Sequence, residues 1–516
     1  MRSKAVHSKI LADSRSFSTA RRVIPQFQKT SLLDCQFHVI HSIGNQGGDG
    51  MRGQKCTAII LATALVLGVS AQAQMPAEIE SVQVETQTGT LSGERNSGVL
   101  IFRGVPYAAP PVGSLRWRAP QPVESWPGVR AATAHEPPCV QPVDLDTRIA
   151  NPGGVVGAQS EDCLYLTVFA PEKVQNAPVL VWFHGGAFFL GAGHLGSYDG
   201  SANARQGVIT IGVNYRLGSL ANFLHPSLAA EHPDEPHGNY ALQDSIAALK
   251  WVQANISAFG GDPGNVTVAG QSAGGGIVTN LLSLPAAKGL FDKAIVESGS
   301  LLLPDKAPAK AQSEAQDALE AIGVDRNASA DELRGISAQT FAASNELRRG
   351  FFFTSDPEFK PSSTIAALIA GNEFDVPLLV GANKGERGFR AARKFAQLAG
   401  DEGAPAFLYR FDHVPAFRKS EWTSGPIHSA ELMFAFDSID RSSWGGEKAD
   451  QVDRNLARTM NGCWVAFLKM APGSQVLKCG DGFEWKPYRV GGDAALFDGT
   501  GPHMAPADGL PDGPGQ

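Results

Sequence analysis

Between residues 177 and 300 the chain alternates unbroken apolar runs with amphipathic ones. Ala177-Pro-Val-Leu-Val-Trp-Phe183 and residues 207–216 are almost continuously apolar, the pattern of strands buried on both faces of a sheet. Residues 241–256 instead place apolar side chains at 242, 246, 249, 252 and 256, which is helical spacing. A short apolar run at 266–269, a helix-like run at 275–284 and another apolar run at 294–296 continue the alternation. Strands alternating with helices predict a mostly parallel central sheet flanked by helices, an α/β class. Outside this core, residues 82–93 alternate apolar and polar around a glycine, as a hairpin does. Residues 102–116 are rich in Pro and Gly and read as an extended surface loop. Residues 160–171, 376–380 and 406–411 read as further strands, and 305–350 and 453–469 as helical. From Gly499 onward Gly, Pro and Asp dominate, which predicts a disordered tail over 499–516.

Charge and cysteines sharpen this outline. The first 55 residues carry nine basic and three acidic side chains, and the remainder carries 35 basic and 48 acidic ones. An acidic body argues against nucleic acid or an anionic membrane as a main partner. Met51-Arg-Gly-Gln-Lys55 is a short basic stretch, residues 56–69 are almost wholly apolar, and Ala71-Gln72-Ala73 is an A-x-A cleavage pattern. Together they read as a signal peptide over 51–73, too short to serve as a comfortable membrane anchor. A signal starting at residue 51 is awkward unless Met51 is the true start, so 1–50 reads as an upstream, disordered extension. Export to the periplasm or outside the cell follows, with a catalytic domain over 74–498. Cys35 and Cys56 fall in the segments expected to be lost. Cys139, Cys163, Cys463 and Cys479 remain, an even number that suggests two disulfides in an exported chain. Three pairings are possible, and sequence neighbours favour 139–163 with 463–479. No Cys or His spacing has the form of a metal site.

The chemistry centres on Gly270-Gln271-Ser272-Ala273-Gly274, a G-x-S-x-G between a strand and a helix. That context is a nucleophile elbow, in which a sharp turn exposes the serine hydroxyl above the sheet of an α/β hydrolase. Such a serine needs a base, a group to orient the base, and donors for an oxyanion. The amide after the nucleophile, here Ala273, is one donor, and the glycine-rich loop His184-Gly-Gly-Ala-Phe188 sits where the others belong. In this fold the acid and then the histidine follow the nucleophile in the chain. Glu386 lies just past the strand at 376–380, whereas Asp356 and Asp375 do not directly follow a strand. Of the later histidines, His503 lies in the tail. His413 follows a strand and His428 stands on a Gly/Pro-marked loop, and the residues by themselves leave the choice between these two open.

Several long motifs in order resemble the type-B carboxylesterases, the family that includes the cholinesterases. Residues 259–274 resemble its serine signature. Glu161-Asp-Cys-Leu-Tyr-Leu-Thr-Val-Phe-Ala-Pro171 resembles its second signature, with Thr167 where Asn is usual. Phe102-Arg-Gly-Val-Pro-Tyr107, Asn214-Tyr-Arg-Leu217 and the run from Gly238 to Asp262 also fit, and the likeness extends from about 82 to about 488. The resemblance implies an α/β-hydrolase fold and a serine esterase with Ser272 as nucleophile, Glu386 as acid and His428 as base. It further implies Gly186, Ala187 and Ala273 as oxyanion donors, Cys139–Cys163 as the family's first disulfide, a small-molecule ester as substrate, and no metal or organic cofactor. The chain departs from the family at Gln271, where Glu is usual, at Ala187 in place of a Gly, at Ser429 after the histidine, and at Gly385 and Arg387 beside the acid. Only 42 positions separate Glu386 from His428, fewer than the family usually has. That short interval implies either a more open site or a damaged one, so a catalytically impaired binding protein stands as the alternative, beside an amide or carbamate hydrolase. Residues 140–162 contain no Trp, Phe or Tyr to hold a quaternary ammonium, which argues against choline esters.

Overall fold

The apolar runs become neighbouring strands, because only a sheet covered on both faces buries a segment with no polar side. The computed structural model describes residues 80–142, 158–300, 305–348, 353–400, 403–480 and 482–513; the expected extension at 1–50 and signal peptide at 51–73 lie outside them. The strands are β1 (Glu80–Thr86), β2 (Gly89–Asn96), β3 (Val99–Pro106), β4 (Val129–Ala131), β5 (Tyr165–Pro171), β6 (Ala177–Phe183), β7 (Ile209–Val213), β8 (Gly261–Gln271), β9 (Lys293–Glu297), β10 (Leu378–Asn383), β11 (Ala406–Phe411), β12 (Leu477–Lys478), β13 (Glu484–Trp485), β14 (Asp493–Asp498) and β15 (Gly501–Pro506). The main sheet runs β1-β2-β3-β5-β7-β6-β8-β9-β10-β11-β14-β15, with β4 beside β2 and β12 paired with β13 apart from it. From β7 to β14 every pairing is parallel, and both ends are antiparallel. This is the α/β-hydrolase fold.

The longer helices among the described residues include α1 (Tyr240–Asn255), α2 (Ala273–Leu281), α3 (Pro308–Ala321), α4 (Phe389–Gly400) and α5 (Gln451–Leu468). One apolar core joins α1, α2 and α4 to the sheet through residues such as Leu249, Ile277 and Phe395. A second joins α5 through Met460, Trp464 and Phe467 to Trp182, Tyr409 and Phe497. A third holds Leu319 of α3 and Phe341 with Trp117, Phe223 and Tyr240. Among the described residues, no helix is long and apolar enough to cross a membrane.

Two expectations need correction. Residues 102–106, read as part of a loop, belong to β3. Phe102 and Val105 are buried, and Gly104, at φ +68°, is taken up where the register shifts between Arg103 and Val105. A glycine in a strand marked a bulge here rather than an end. Likewise 499–513 is not disordered: β15 pairs with β14 from Gly501 to Pro506, closed by a turn in which Asp498 Oδ1 accepts from Thr500 N at 2.8 Å and Thr500 Oγ1 at 2.6 Å. The pairing is carried by backbone groups at a sheet edge, which composition does not report.

Candidate active site

Ser272, Glu386 and the loop at 184–188 each follow the carboxyl end of a parallel strand, β8, β10 and β6, where ligands bind in open α/β sheets, and His428 stands on the longer loop after β11. Ser272 follows β8 directly and heads α2, with φ 56° and ψ −119°. That is a sparsely populated conformation for a side chain bearing a Cβ, and it must be held from outside. It is: Ser272 N donates to Glu297 O at 2.9 Å, and Ser272 O accepts from Gly276 N at 2.9 Å. The turn also needs its small residues. A Cβ on Gly274 would lie 1.9 Å from the carbonyl oxygen of Phe183 at the end of β6. Strand and helix approach so closely that only glycine fits.

The loop after β6 lies against this elbow, since a Cβ on Gly185 would meet Gln271 and the Cβ of Ser272. Its backbone is held in unusual regions, with φ +113° at Gly186, +51° at Ala187 and +63° at Phe188. Tyr215 fixes it from below: its hydroxyl donates to His184 O at 2.6 Å and its ring stacks on the His184 imidazole at 4.4 Å. Burial pulls the pKa of His184 down to about 4, so the ring is neutral. Ala273 is the first residue of α2, where helical geometry leaves N–H groups without intrahelical partners. Phe188 packs edge-on against Phe353 at 5.2 Å, an aromatic wall beside this loop.

Glu386 and His428 come together despite the short interval between them. His428 Nδ1 hydrogen-bonds Glu386 Oε2. Gln271 Nε2 donates to His428 Nε2 at 3.3 Å, so the ring proton sits on Nδ1 and Nε2 keeps its lone pair. Burial lowers the imidazole's pKa, but the hydrogen bond and charge of Glu386, with the charge of Glu431, outweigh it and raise the pKa above the usual value. The His428 side chain remains 45 % exposed. Ser272 Oγ makes no hydrogen bond among the described residues, and the partner of His428 Nε2 is the Gln271 amide. Catalytic contacts are often loose before substrate arrives. His413 is placed elsewhere, its Nε2 bonded to Asp453 Oδ1 at 2.6 Å at the start of α5. His503 lies on β15, Asp356 holds a turn through Phe359 N at 2.7 Å, and Asp375 accepts from Ala404 N at 2.8 Å.

Sequence reasoning missed the layer behind this pair. Glu386 Oε1 accepts from Asn383 N at 2.8 Å and from Ser298 Oγ. Ser298 Oγ also reaches Glu431 Oε1 at 3.4 Å, and Asn383 Nδ2 bonds Glu431 Oε2 and Ile427 O, the latter at 2.8 Å. Glu431 is fully buried; burial, and then the charge of Glu386, push its pKa up to about 7. One signal was readable: Glu431 stands only three residues after His428 in the chain.

Comparison with known proteins places this architecture. A sequence model described as the Carboxylesterase family matches residues 80–399. The chain belongs to the carboxylesterase family. It is 38 % identical over 450 residues to a para-nitrobenzyl esterase of Bacillus subtilis, covering 75 % of this chain and 89 % of that one. A human protein, carboxylesterase 3, is 36 % identical over 508 residues, covering 80 % and 87 %. Among solved structures, a PNB esterase superposes with a TM-score of 0.70 at 34 % identity over 82 % of this chain and 97 % of that one. A carboxylesterase of Geobacillus stearothermophilus gives 0.69 at 29 % identity with the same coverage. The chain is therefore a carboxylic ester hydrolase of the serine type.

The remaining motifs of this carboxylesterase brace the site. Arg216 and Asp244 form a buried, forked ion pair, with Nη2–Oδ1 at 2.6 Å and Nε–Oδ2 at 2.9 Å, which ties the loop after β7 to α1. Asn214 Oδ1 accepts from Gly193 N at 2.8 Å. Arg116 clasps Glu161 at 2.6 and 2.5 Å beside the Cys139–Cys163 disulfide, and Cys463–Cys479 ties α5 to β12. Both disulfides follow the pairing favoured by sequence neighbours.

Proposed function

We propose that this protein is an exported serine esterase that cleaves carboxylic esters of small molecules through an acyl-enzyme, with Ser272 as nucleophile, His428 as base and Glu386 as the group that orients the base. The observation that supports the reading is the Glu386–His428 hydrogen bond, which leaves an unprotonated Nε2 in contact with the amide of Gln271, the residue before the strained serine. His428 Nε2 takes the proton of Ser272 Oγ as Oγ attacks the ester carbonyl carbon. The oxygen of the tetrahedral intermediate becomes an anion and is met by the amides of Gly186, Ala187 and Ala273. On collapse the alcohol leaves with the proton from Nε2. Water, deprotonated by the same nitrogen, then attacks the acyl-enzyme, the acid departs, and Ser272 is regenerated. Imidazolium forms next to Glu386, whose negative charge offsets it.

Export is supported by the leader pattern of 51–73 and by two disulfides, which persist in oxidising compartments. The test of the chemistry is labelling with a fluorophosphonate, followed by peptide mapping. A single adduct on Ser272, lost in His428→Ala, is expected, together with loss of para-nitrophenyl acetate turnover in Ser272→Ala. Unchanged turnover in Ser272→Ala sinks the proposal. Intact mass of the native secreted chain tests the leader: a chain that keeps residues 1–73 overturns export by this signal.

A further inference from the structure

Behind the triad stands a carboxyl group with no evident reason to be there. Glu297, the last residue of β9, is fully buried. Its Oε1 accepts from Trp464 Nε1 at 2.6 Å, and its Oε2 has no protein partner among the described residues. No Lys or Arg among the described residues pairs with it. An ionised carboxylate so placed would be a buried charge without a counter-ion, which is far costlier than a buried neutral acid. The titratable groups that face it are Glu431 on the His428 loop, Tyr409 on β11 and Tyr198 on the segment after β6, all acidic and none cationic. Burial, and then the charge of Glu431, push its carboxyl well above the usual range.

The position of Glu297 gives it leverage on both halves of the site. Its backbone carbonyl accepts the Ser272 N–H at 2.9 Å, and so helps hold the strained nucleophile. The next residue, Ser298, sits at φ +48°, donates its own N–H to Gly381 O at 2.8 Å, and gives its hydroxyl to Glu386. A single dipeptide therefore joins nucleophile and acid. The Glu297 side chain anchors that dipeptide to α5 through Trp464, next to the Cys463–Cys479 bridge.

We propose that Glu297 is a positioning residue that works as a neutral carboxylic acid, pinning the Glu297–Ser298 corner to Trp464 while placing no second negative charge beside Glu431. This rests on the serine-esterase reading above. A protonated Glu presents an acceptor at Oε1 and a donor at Oε2; Gln presents the same pair, and Ala presents neither. The experiment compares Glu297→Gln and Glu297→Ala with the wild type in kcat, KM and the pH profile of kcat/KM for para-nitrophenyl acetate.

Glu297→Ala should lower kcat about tenfold with KM within about twofold, since the corner loosens but the substrate surface does not change. Glu297→Gln should recover most of that loss, and its acid limb should stay within about 0.3 pH unit of the wild type. If Glu297 instead carries a charge, its neutralisation lets the His428 imidazolium form less readily and the acid limb falls by about one unit; that result overturns the proposal. Wild-type kcat in Glu297→Ala overturns it too, as does Glu297→Gln no better than Glu297→Ala. Should Glu297→Ala fail to fold, the pH profile of Glu297→Gln still decides. Absence of turnover in the wild type would refute the esterase reading and this one with it, whereas an active wild type with a shifted Glu297→Gln profile refutes this one alone.

Discussion

The two halves of the site are built from different materials. The Ser272 side is backbone: Ser272 is held by two main-chain hydrogen bonds, and α2 starts hard against the end of β6 at Gly274. The Glu386–His428 side is side chains: Glu386, His428, Glu431, Ser298 and Asn383 bond one another at the ends of β9 and β10 and on the loop after β11. A backbone-built half tolerates no added atom, whereas a half built from polar side chains tolerates changes of shape poorly matched to its charge only at the expense of rate. The first half should fail by unfolding and the second by losing chemistry.

The largest expected effect tests the first half. Gly274→Ala puts a methyl group 1.9 Å from the Phe183 carbonyl oxygen, and neither strand β6 nor helix α2 can move away without unpacking the main core. We expect a loss of more than about 4 kcal/mol, in the range reserved for core overpacking and backbone clashes. Urea denaturation of the purified variant measures it. A variant with an unchanged midpoint would show that the elbow can relax, and the contrast between the halves would dissolve.

Glu386→Gln tests the second half. The amide keeps the volume of the carboxylate but cannot offset an imidazolium, and it can present its NH₂ to Nδ1 and so reverse the ring's tautomer. We expect kcat to fall by about 10³- to 10⁴-fold, as when the orienting acid of a serine triad is replaced by its amide. The urea midpoint should stay near that of the wild type. A variant that unfolds would mean that Glu386 is as much a structural part as Gly274 is.

The same contrast explains what could be read from the chain. Gly270, Ser272 and Gly274 form a contiguous pattern, because a backbone turn is made by neighbours in sequence. The Gly-rich loop at 184–188 was legible for the same reason, and so were the buried strands at 177–183 and 406–411. The choice between His413 and His428 was not legible from the residues, because it turns on which histidine meets Glu386 and which meets Asp453, and those are tertiary contacts. Glu297, Ser298 and Trp464 gave no signal, since their partners lie up to 167 positions away. The strand at 501–506 hid for a different cause: edge pairing uses peptide groups that every residue has.

The smallest expected effect falls on the seam where the halves meet. Gln271 belongs to the elbow by sequence, yet its amide donates to His428 Nε2. Gln271→Glu exchanges that donor for a carboxylate and leaves the volume unchanged. The His428 imidazole would then lie between two carboxylates, Glu386 at Nδ1 and the new one at Nε2. Both favour the protonated ring, so its pKa, already above the usual value of about 6.5, rises further. A protonated ring cannot accept the serine proton, so activity is lost as pH falls through that pKa. The acid limb of kcat/KM should therefore move to higher pH by about one unit, with the plateau at alkaline pH within about threefold of the wild type. Profiles for both proteins between pH 5 and 9 would show it. A limb that stays put would mean Gln271 does not touch His428 in solution, and that the two halves meet only through the Glu297–Ser298 corner.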